Sequence, residues 1–329
     1  MMPARPHFQK LVEKARFQPP LAAAVAYPCD LESLQLALSG AFAGYLAPTL
    51  VGPEGRIRDV AAKSGLDISR LPIVDTADDP RAAGVRAAEL ARDGHVAGLV
   101  RGSLTNEELL GPVAAPESGL RTERRLSHAY FLDLAGQPRG LLVADAHMNV
   151  TPNLAAKRDI VQNTIQLAVA LGLAAPNVAL LAAMDGPAPA FRSTTDAVAL
   201  RAMAQQGLFR GAVIEGPLTP DSALSGEAAR AKGLKSEIAG RVDVLIGPSM
   251  ESAVMVMRTL LALGHGLAAG VVLGARIPIV APTRNDSMEV RMASCVLAML
   301  LAGSGSEAMA SSTAAASSIV ADASTRVAA

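Results

Sequence analysis

The sequence is poor in aromatic residues, in cysteine and in net charge, and each shortage argues against a class of function. Aromatic residues make up 3% of the 329 residues and Trp is missing, so surfaces that stack single-stranded nucleic acid are not expected. Thirty Lys and Arg balance thirty Asp and Glu, and no charge excess favours nucleic acid or an anionic membrane as partner. Two distant cysteines, Cys29 and Cys295, suggest neither a disulfide framework nor a thiolate metal cluster.

Long apolar runs are also missing. The most apolar stretch, residues 260–280, is interrupted by Gly264, Arg276 and Pro278, whereas a spanning helix needs roughly 20 consecutive apolar residues. The early apolar run at 21–27 is too short for a signal peptide. We therefore expect a cytoplasmic protein with no membrane segment.

The chain does contain enough apolar residues for a large core. Half of its residues are apolar and 18% are charged, which excludes an intrinsically disordered chain. The length suits two ordinary domains or one large one.

Short apolar runs alternate with helical patterns along the chain. Most runs are continuously apolar, as expected for strands buried on both faces of a sheet. The order predicts an α/β protein with a mostly parallel sheet. Strands are predicted at 21–26, 48–51, 72–74, 97–100, 129–134, 140–144, 178–182, 212–214, 242–246, 269–273 and 278–280. Helices are predicted at 30–42, 54–64, 80–92, 154–171, 194–206, 220–232, 250–263 and 286–301.

Two turn-rich joints, at 135–139 and 281–284, suggest that the chain crosses twice between domains. We predict a discontinuous first domain of residues 1–137 and 284–303 and a second domain of residues 138–283. Residues 304–329 are rich in Ser and Ala and are expected to form a mobile or loosely held tail.

Residues 100–108 join a predicted strand to a helix and could bind phosphate. Gly102 permits a tight turn, and Thr105 with Glu108 fits a capping box. Arg101 and the free N–H groups of the turn would suit a phosphate, with Ser103 or Thr105 as the helix cap. An ordinary strand-to-helix turn explains the same residues.

A second basic segment places Arg121, Arg124 and Arg125 within five residues. Arginine forks pair with phosphate or carboxylate oxygens. The alternative is a solvated loop in which the arginines pair with Glu123. His128, at the edge of an apolar run, is expected to be structural.

Three further polar segments follow predicted strands, where α/β sheets place ligands. Asp145 and His147 suggest a metal, although no other His has ligand spacing, and Asp145 can equally cap a loop. Glu215 and Asp221 could form a divalent-metal site or a helix-terminal turn. In the segment 282–287, Asp286 or Ser287 can cap the last helix while Thr283 and Arg284 face a ligand.

No G-x-G-x-x-G, P-loop, G-x-S-x-G or H-E-x-x-H motif occurs. Taken together, the segments instead resemble the phosphate acetyltransferase/phosphate butyryltransferase family over residues 21–301, and the butyryl-type branch more than the acetyl-type one. The matching segments are RGSL and ELL at 101–110, GLRT and LSH at 119–128, DAHMNVTP at 145–152, DIVQN at 159–163, TDA at 195–197, GPL with Asp221 at 216–221, and RNDS at 284–287.

The resemblance implies two α/β domains with a cleft between them, similar to isocitrate and isopropylmalate dehydrogenases, and a homodimer. It implies transfer of an acyl group between coenzyme A and inorganic phosphate, with coenzyme A as substrate and neither a cofactor nor a metal in the chemical step.

Carried over by position, Arg284 resembles the family's phosphate- and carbonyl-binding arginine. Thr283 stands where the family usually has Ser, and its hydroxyl can contact the thiolate. Val290 stands where acetyl-type members have the presumed thiol base, which leaves Asp286 as a substitute. Further departures put Arg101 in place of a Lys, Thr105 in place of a His and Glu215 in place of an Asp.

We therefore expect a phosphate acyltransferase acting on short-chain acyl-CoA, with Arg284, Thr283 and Asp286 as catalytic residues. The expected substrate- and phosphate-binding residues are Arg101, Ser103, Arg121, Arg124, Asp145, Asn149 and Ser287. The departures favour, as an alternative, a catalytically weak paralogue that binds coenzyme A or acyl phosphate. A metal-dependent dehydrogenase on the related fold is the third hypothesis.

Overall fold

The fold is known from a computed structural model, which describes residues 5–209 and 211–304. All eleven predicted strands are present, with ends displaced by up to four residues. They are β1 Leu21–Ala26, β2 Leu46–Gly52, β3 Ile73–Asp75, β4 Gly98–Arg101, β5 Ser127–Asp133, β6 Leu141–Ala144, β7 Asn177–Leu181, β8 Val213–Leu218, β9 Val244–Ile246, β10 Leu267–Leu273 and β11 Ile279–Val280.

The helices also follow the predicted order. They are α1 Pro6–Ala15, α2 Leu31–Phe42, α3 Glu54–Lys63, α4 Pro80–Arg92, α5 Asn106–Ala114, α6 Leu154–Ala170, α7 Arg192–Gln205, α8 Pro220–Leu224, α9 Gly226–Ala231 and α10 Met250–Leu263, followed by α11 at 288–304. None of these helices is both long and apolar enough to cross a membrane, within the residues described.

The predicted single helix at 220–232 is wrong, because the chain forms two short helices there. Ser225, with φ −129° and ψ 113°, is extended and ends α8. Its side chain accepts a hydrogen bond from the Ala228 N–H and so caps α9. A serine followed by Gly226 favours this break, since a serine side chain bonds more readily to a helix end than to a helix interior.

The sequence analysis did not predict α1. Pro6 stands in its first turn, where the absent N–H of proline does no harm. Hydrogen bonds near both ends of α1 attach it to the rest of the fold. The Phe8 N–H donates to Asp133 Oδ2 at 2.8 Å, and Lys14 Nζ donates to the Ala170 carbonyl at 2.9 Å.

All eleven strands form one sheet in the order β3-β2-β1-β4-β11-β10-β5-β6-β9-β7-β8. Parallel pairing holds in both outer parts, and the three central pairs, β11–β10, β10–β5 and β5–β6, are antiparallel. The predicted α/β class with a mostly parallel sheet is therefore confirmed. Because three reversals separate β11 from β6, the strands on the two sides point in opposite directions. Their carboxyl ends lie at opposite edges of the sheet.

At β5 the two apolar clusters of the fold lie on opposite faces of the sheet. Ala129 and Phe131 pack into the larger cluster, whereas Tyr130 and Leu132 pack into the smaller one on the other face. Such alternation follows from the two-residue period of a strand. The sheet is thus covered on both sides, in agreement with the continuous apolar runs.

The predicted boundaries at 137/138 and 283/284 fall in connections between elements, and the division into two domains stays a prediction. Residues 305–329, which carry nearly all of the predicted tail, lie outside the described residues. Cys29 and Cys295 are both buried free thiols.

Candidate active site

A polar cavity of about 250 Å³ lies at the edge where β4 and β11 end. The strands β1, β4 and β11 are mutually parallel neighbours, so the loops that follow them converge, as is usual for ligand sites in such sheets. The cavity is lined by Asp30, Glu32, Arg101, Gly102, Ser103, Leu104, Pro282, Thr283, Arg284 and Arg291. Four residues predicted for the site, Arg101, Ser103, Thr283 and Arg284, therefore meet in one place.

The turn after β4 passes very close to the end of β1. The Ser103 hydroxyl donates to the Tyr27 carbonyl at 2.9 Å and accepts from the Cys29 N–H at 3.3 Å. Thr105 and Glu108 then form the predicted capping box at the start of α5. This turn brings Ser103 and Leu104 to the cavity.

Gly102 is required by the close approach of two chain segments. A Cβ on Gly102 would lie 2.4 Å from the Ala26 carbonyl oxygen and 2.5 Å from that of Tyr27. Both atoms belong to the backbone and cannot turn aside, so a side chain would push the Arg101–Ser103 turn away from β1.

We expect Gly102→Ala to lower the free energy of unfolding by about 1–3 kcal/mol through overpacking and to reduce activity. Gly55→Ala is the matched control, because nothing lies within 4 Å of the added Cβ in the exposed part of α3. The control should be neutral or slightly stabilising. Urea unfolding of both variants tests this, and equal stability of the two would contradict it.

The cavity contains an excess of arginine. Arg101 donates from Nη1 to the Leu104 carbonyl at 3.1 Å and from Nη2 to the Pro282 carbonyl, while its buried Nε has no partner. Burial lowers the pKa of Arg101, and the charges of Arg291 and Arg284 lower it further. The exposed Arg284 forms neither a hydrogen bond nor an ion pair within the described residues. Together with Arg291, these cations outnumber the two lining carboxylates, Asp30 and Glu32, and leave the cavity with an excess of positive charge.

Thr283 and Asp286 form a closed pair at the mouth of the same cavity. The Thr283 N–H donates to Asp286 Oδ2 at 2.7 Å, and the Thr283 hydroxyl donates to Asp286 Oδ1 at 2.6 Å. Of the two predicted caps of α11, Ser287 makes the cap contact, since its Oγ accepts from the Val290 N–H at 3.3 Å. Asp286 thus orients the Thr283 hydroxyl.

Asp145 and Asn149 lie elsewhere, in the loop after β6. The carboxylate of the buried Asp145 accepts from the N–H groups of His128, His147 and Met148 through Oδ1 and from the Asn149 N–H through Oδ2. A carboxylate so fully occupied organises the loop around it. Asn149 lines a separate cavity of about 240 Å³ that also includes Arg125.

Arg121 and Arg124 do not line the arginine-rich cavity. Arg124 donates to Asn163 Oδ1 at 2.7 Å and to Gln166 Oε1 at 2.6 Å. The exposed Arg121 forms an isolated antiparallel β-bridge with Ala275. Because these arginines precede β5, which is aligned with β4 and β11, they lie at the opposite edge of the sheet. Their predicted role in binding substrate stays a prediction.

Glu215 and Asp221, which the sequence offered either as a metal site or as a helix-terminal turn, do not share a site. Glu215 accepts from the Ser236 hydroxyl at 2.5 Å and from the Glu237 N–H at 3.0 Å, whereas Asp221 pairs with Lys232 at 2.7 Å. In the part of the chain that the structure describes, no group of three or more His, Cys, Asp or Glu is placed to hold a metal ion.

Two buried titratable groups are uncharged at neutral pH. Burial, with a smaller contribution from His147, lowers the pKa of His128 to about 3, and the His128 ring packs 4.5 Å from that of Tyr130. Burial also raises the pKa of the Cys29 thiol to about 11. Cys29 is therefore protonated and a poor nucleophile.

Sequence reasoning missed Arg291, which is buried beside the cavity. A basic residue among the mostly apolar positions 290–301 of the last predicted helix was the available signal. Asp30 and Glu32 were missed as well, because the turn between β1 and α2 carries no recognisable motif.

Comparisons with known proteins identify relatives of this chain. Residues 81–299 match the family model described as phosphate acetyl/butaryl transferase. A phosphate acetyltransferase of Rhizobium meliloti is 45% identical over 91% of the chain and 95% of its own length. A phosphate butyryltransferase of Clostridium beijerinckii is 32% identical over 90% and 98%. The crystal structure of a branched-chain phosphotransacylase from Enterococcus faecalis V583 superposes with a TM-score of 0.75 at 26% identity, covering 86% of the chain and 99% of that structure.

Proposed function

The chain belongs to the phosphate acetyl/butyryltransferase family, and we propose that the arginine-rich cavity at the ends of β4 and β11 is its reaction centre. The protein is a phosphate acyltransferase, with acyl-CoA and phosphate as substrates. The observation that supports the location is the convergence of Arg101, Ser103, Thr283 and Arg284 on one small polar cavity. The comparisons favour neither the weak paralogue nor the dehydrogenase hypothesis.

The reaction requires an anion held beside a thioester. A phosphate oxygen attacks the carbonyl carbon of acyl-CoA, the C–O bond forms, and negative charge develops on the carbonyl oxygen. The C–S bond then breaks, leaving acyl phosphate and the thiolate of coenzyme A, which takes up a proton. Arg284 is proposed to stabilise the phosphate and the developing oxyanion, because it is exposed to the cavity and its donors are uncommitted.

The Thr283–Asp286 pair is proposed to carry the thiol proton. In the reverse direction a thiol, with a pKa near 8.5, must lose its proton before it attacks an acyl phosphate. The thiol can donate to Thr283 Oγ1 while the Thr283 hydroxyl proton moves to Asp286 Oδ1, 2.6 Å away. The hydrogen bond to Asp286 also leaves the lone pairs of the Thr283 oxygen facing away from the carboxylate.

The other predicted residues receive roles according to their contacts. Arg101 is proposed to bind phosphate directly, whereas Ser103, whose hydroxyl and N–H both donate to the Tyr27 carbonyl, is proposed to hold the turn that carries Arg101. Ser287 and Asp145 are proposed to act through the loops that they cap or organise. Arg121, Arg124 and Asn149, at the far edge of the sheet, are proposed to contact other parts of the substrate.

We further propose a short acyl chain, no cofactor or catalytic metal, a cytoplasmic location and a homodimer. The names of the relatives support short chains, and the free thiols of Cys29 and Cys295 suit a reducing compartment. Exposed apolar side chains such as Phe42, Met255 and Leu263 are compatible with a subunit interface.

The decisive assay measures release of the thiol of coenzyme A by purified protein. Acetyl-, propionyl- and butyryl-CoA are each supplied with and without inorganic phosphate. We expect release that depends on phosphate, with the fastest substrate defining the preferred chain. If folded protein binds coenzyme A in a calorimeter but releases none with any substrate, the paralogue hypothesis replaces this one.

A further inference from the structure

Arg291 is a buried cation without an anionic partner. It lies in the first turn of α11 and is 8% exposed. Its Nε donates to the Asp286 carbonyl at 3.0 Å and its Nη2 to the Thr283 carbonyl at 3.1 Å. No carboxylate of the described residues forms an ion pair with Arg291. Nη1 makes no hydrogen bond to the described residues, and the side chain borders the cavity.

Arg101, which lines the same cavity, also has no anionic partner among the described residues. Its two terminal nitrogens donate to backbone carbonyls, and its buried Nε has no partner. Burial and the charges of Arg291 and Arg284 lower the pKa of Arg101, and the charges of Asp286 and Asp30 oppose this effect without cancelling it, so the two guanidinium groups repel one another. Two partly desolvated like charges are unfavourable unless an anion compensates them.

The carboxylates near the cavity do not act as partners of these two arginines. Asp286 accepts both of its hydrogen bonds from Thr283. Asp30 caps α2 by accepting from the Ser33 N–H at 2.7 Å, and the remaining lining carboxylate, Glu32, is exposed. Asp30, the N-cap of α2, lines the cavity, so the N-terminal end of that helix adds partial positive charge.

The size of the cavity selects a small anion. Pockets that enclose drug-sized ligands occupy about 300–1,000 Å³, and this one measures about 250 Å³. It can therefore hold a phosphate and the reacting end of an acyl-CoA.

We propose that Arg291 and Arg101 together bind inorganic phosphate in this cavity, and that Arg291 also positions the loop 283–286 that carries Arg284. The proposal rests on the proposed function, which it deepens by adding a residue from α11. By holding the carbonyls of Thr283 and Asp286, Arg291 fixes both ends of the loop while one edge of its guanidinium faces the phosphate.

The test compares Arg291→Met, Arg291→Gln and Arg291→Lys with the wild type. We expect the Met and Gln variants to raise the KM for phosphate by about tenfold to a hundredfold, the range for hydrogen bonds to a charged group. The KM for acyl-CoA should change by less than about threefold. Lys restores the charge without the planar fork and should recover most of the phosphate affinity.

Arg201→Met, on the exposed surface of α7, is the matched control and should resemble the wild type. A purely structural role would change both KM values and kcat together, with no recovery by Lys. Either that result, or a phosphate KM within twofold of the wild type in the Met and Gln variants, would overturn the proposal. If the Met variant does not fold, the Gln variant alone decides.

Phosphate binding in the absence of acyl-CoA separates this inference from the proposed function. Calorimetric titration of wild type and Arg291→Gln with inorganic phosphate, and with dephospho-CoA as a second probe, requires no turnover. Weaker binding of phosphate but not of dephospho-CoA by the variant supports the proposal, even if thiol release fails. Equal binding of phosphate by both proteins contradicts it, even if the wild type is active.

Discussion

Arg284→Ala is expected to lower the rate of phosphate-dependent acyl transfer by about 10²–10³-fold, as is typical when one preorganised donor to an oxyanion is removed. The side chain is exposed at the cavity and makes no protein contact whose loss would disturb the fold. Its removal should therefore change catalysis and leave stability unchanged. Loss of arsenate-dependent breakdown of acyl-CoA is the measurement, because arsenate replaces phosphate as the acceptor and its product hydrolyses.

Two further variants make the Arg284 result specific. Arg284→Lys should recover part of the rate, since it keeps the charge but loses the bidentate geometry. Arg201→Ala, an exposed arginine of α7, controls for the loss of one positive charge. Full activity of Arg284→Ala would disprove the placement of the reaction centre in this cavity.

Asp286→Asn is expected to lower kcat by about 10²-fold at pH 7 in the direction that consumes free coenzyme A, within the range for general acid–base groups. Asparagine retains one acceptor for the Thr283 N–H but cannot take up a proton. Thr283→Val should show a similar loss, because it removes the hydroxyl that donates to Asp286. Thr283→Ser, which keeps the hydroxyl, should remain active and serves as the control.

The pH dependence of the rate shows whether Asp286 acts as a base or only orients the loop. A thiol with a pKa near 8.5 is about 3% thiolate at pH 7 and about three quarters thiolate at pH 9. If Asp286 accepts the thiol proton, the deficit of Asp286→Asn should shrink by about tenfold between these pH values. A deficit that stays constant with pH would show that Asp286 only orients the loop.

The order of strands and helices could be predicted from the sequence. The residues of the cavity could be predicted only where they lie close together in the sequence. Continuous apolar runs marked all the strands, and the Thr105–Glu108 capping box marked the start of α5. Asp145 and Arg124 are among the predicted site residues that lie outside the cavity. Their positions depend on the direction in which the neighbouring strands run. No local pattern reports that three antiparallel pairs at the centre of the sheet send the ends of β4 and β6 to opposite edges.

Arg291 could not be assigned from the sequence for a related reason. Its importance comes from what surrounds it, namely two backbone carbonyls, a facing guanidinium and the absence of an acidic partner among the described residues. Desolvation and repulsion are properties of the folded cavity. A sequence shows the charge of an arginine but not whether water or protein surrounds it.

The antiparallel centre of the sheet influences how the protein unfolds. Seven consecutive residue pairs join β5 to β10, and β5 is also paired with β6. The parallel regions on either side thus share one continuous network of backbone hydrogen bonds, since β10 also pairs with β11 and β5 with β6. Such sharing favours cooperative melting of the whole sheet, so damage near β8 would weaken a cavity several strands away.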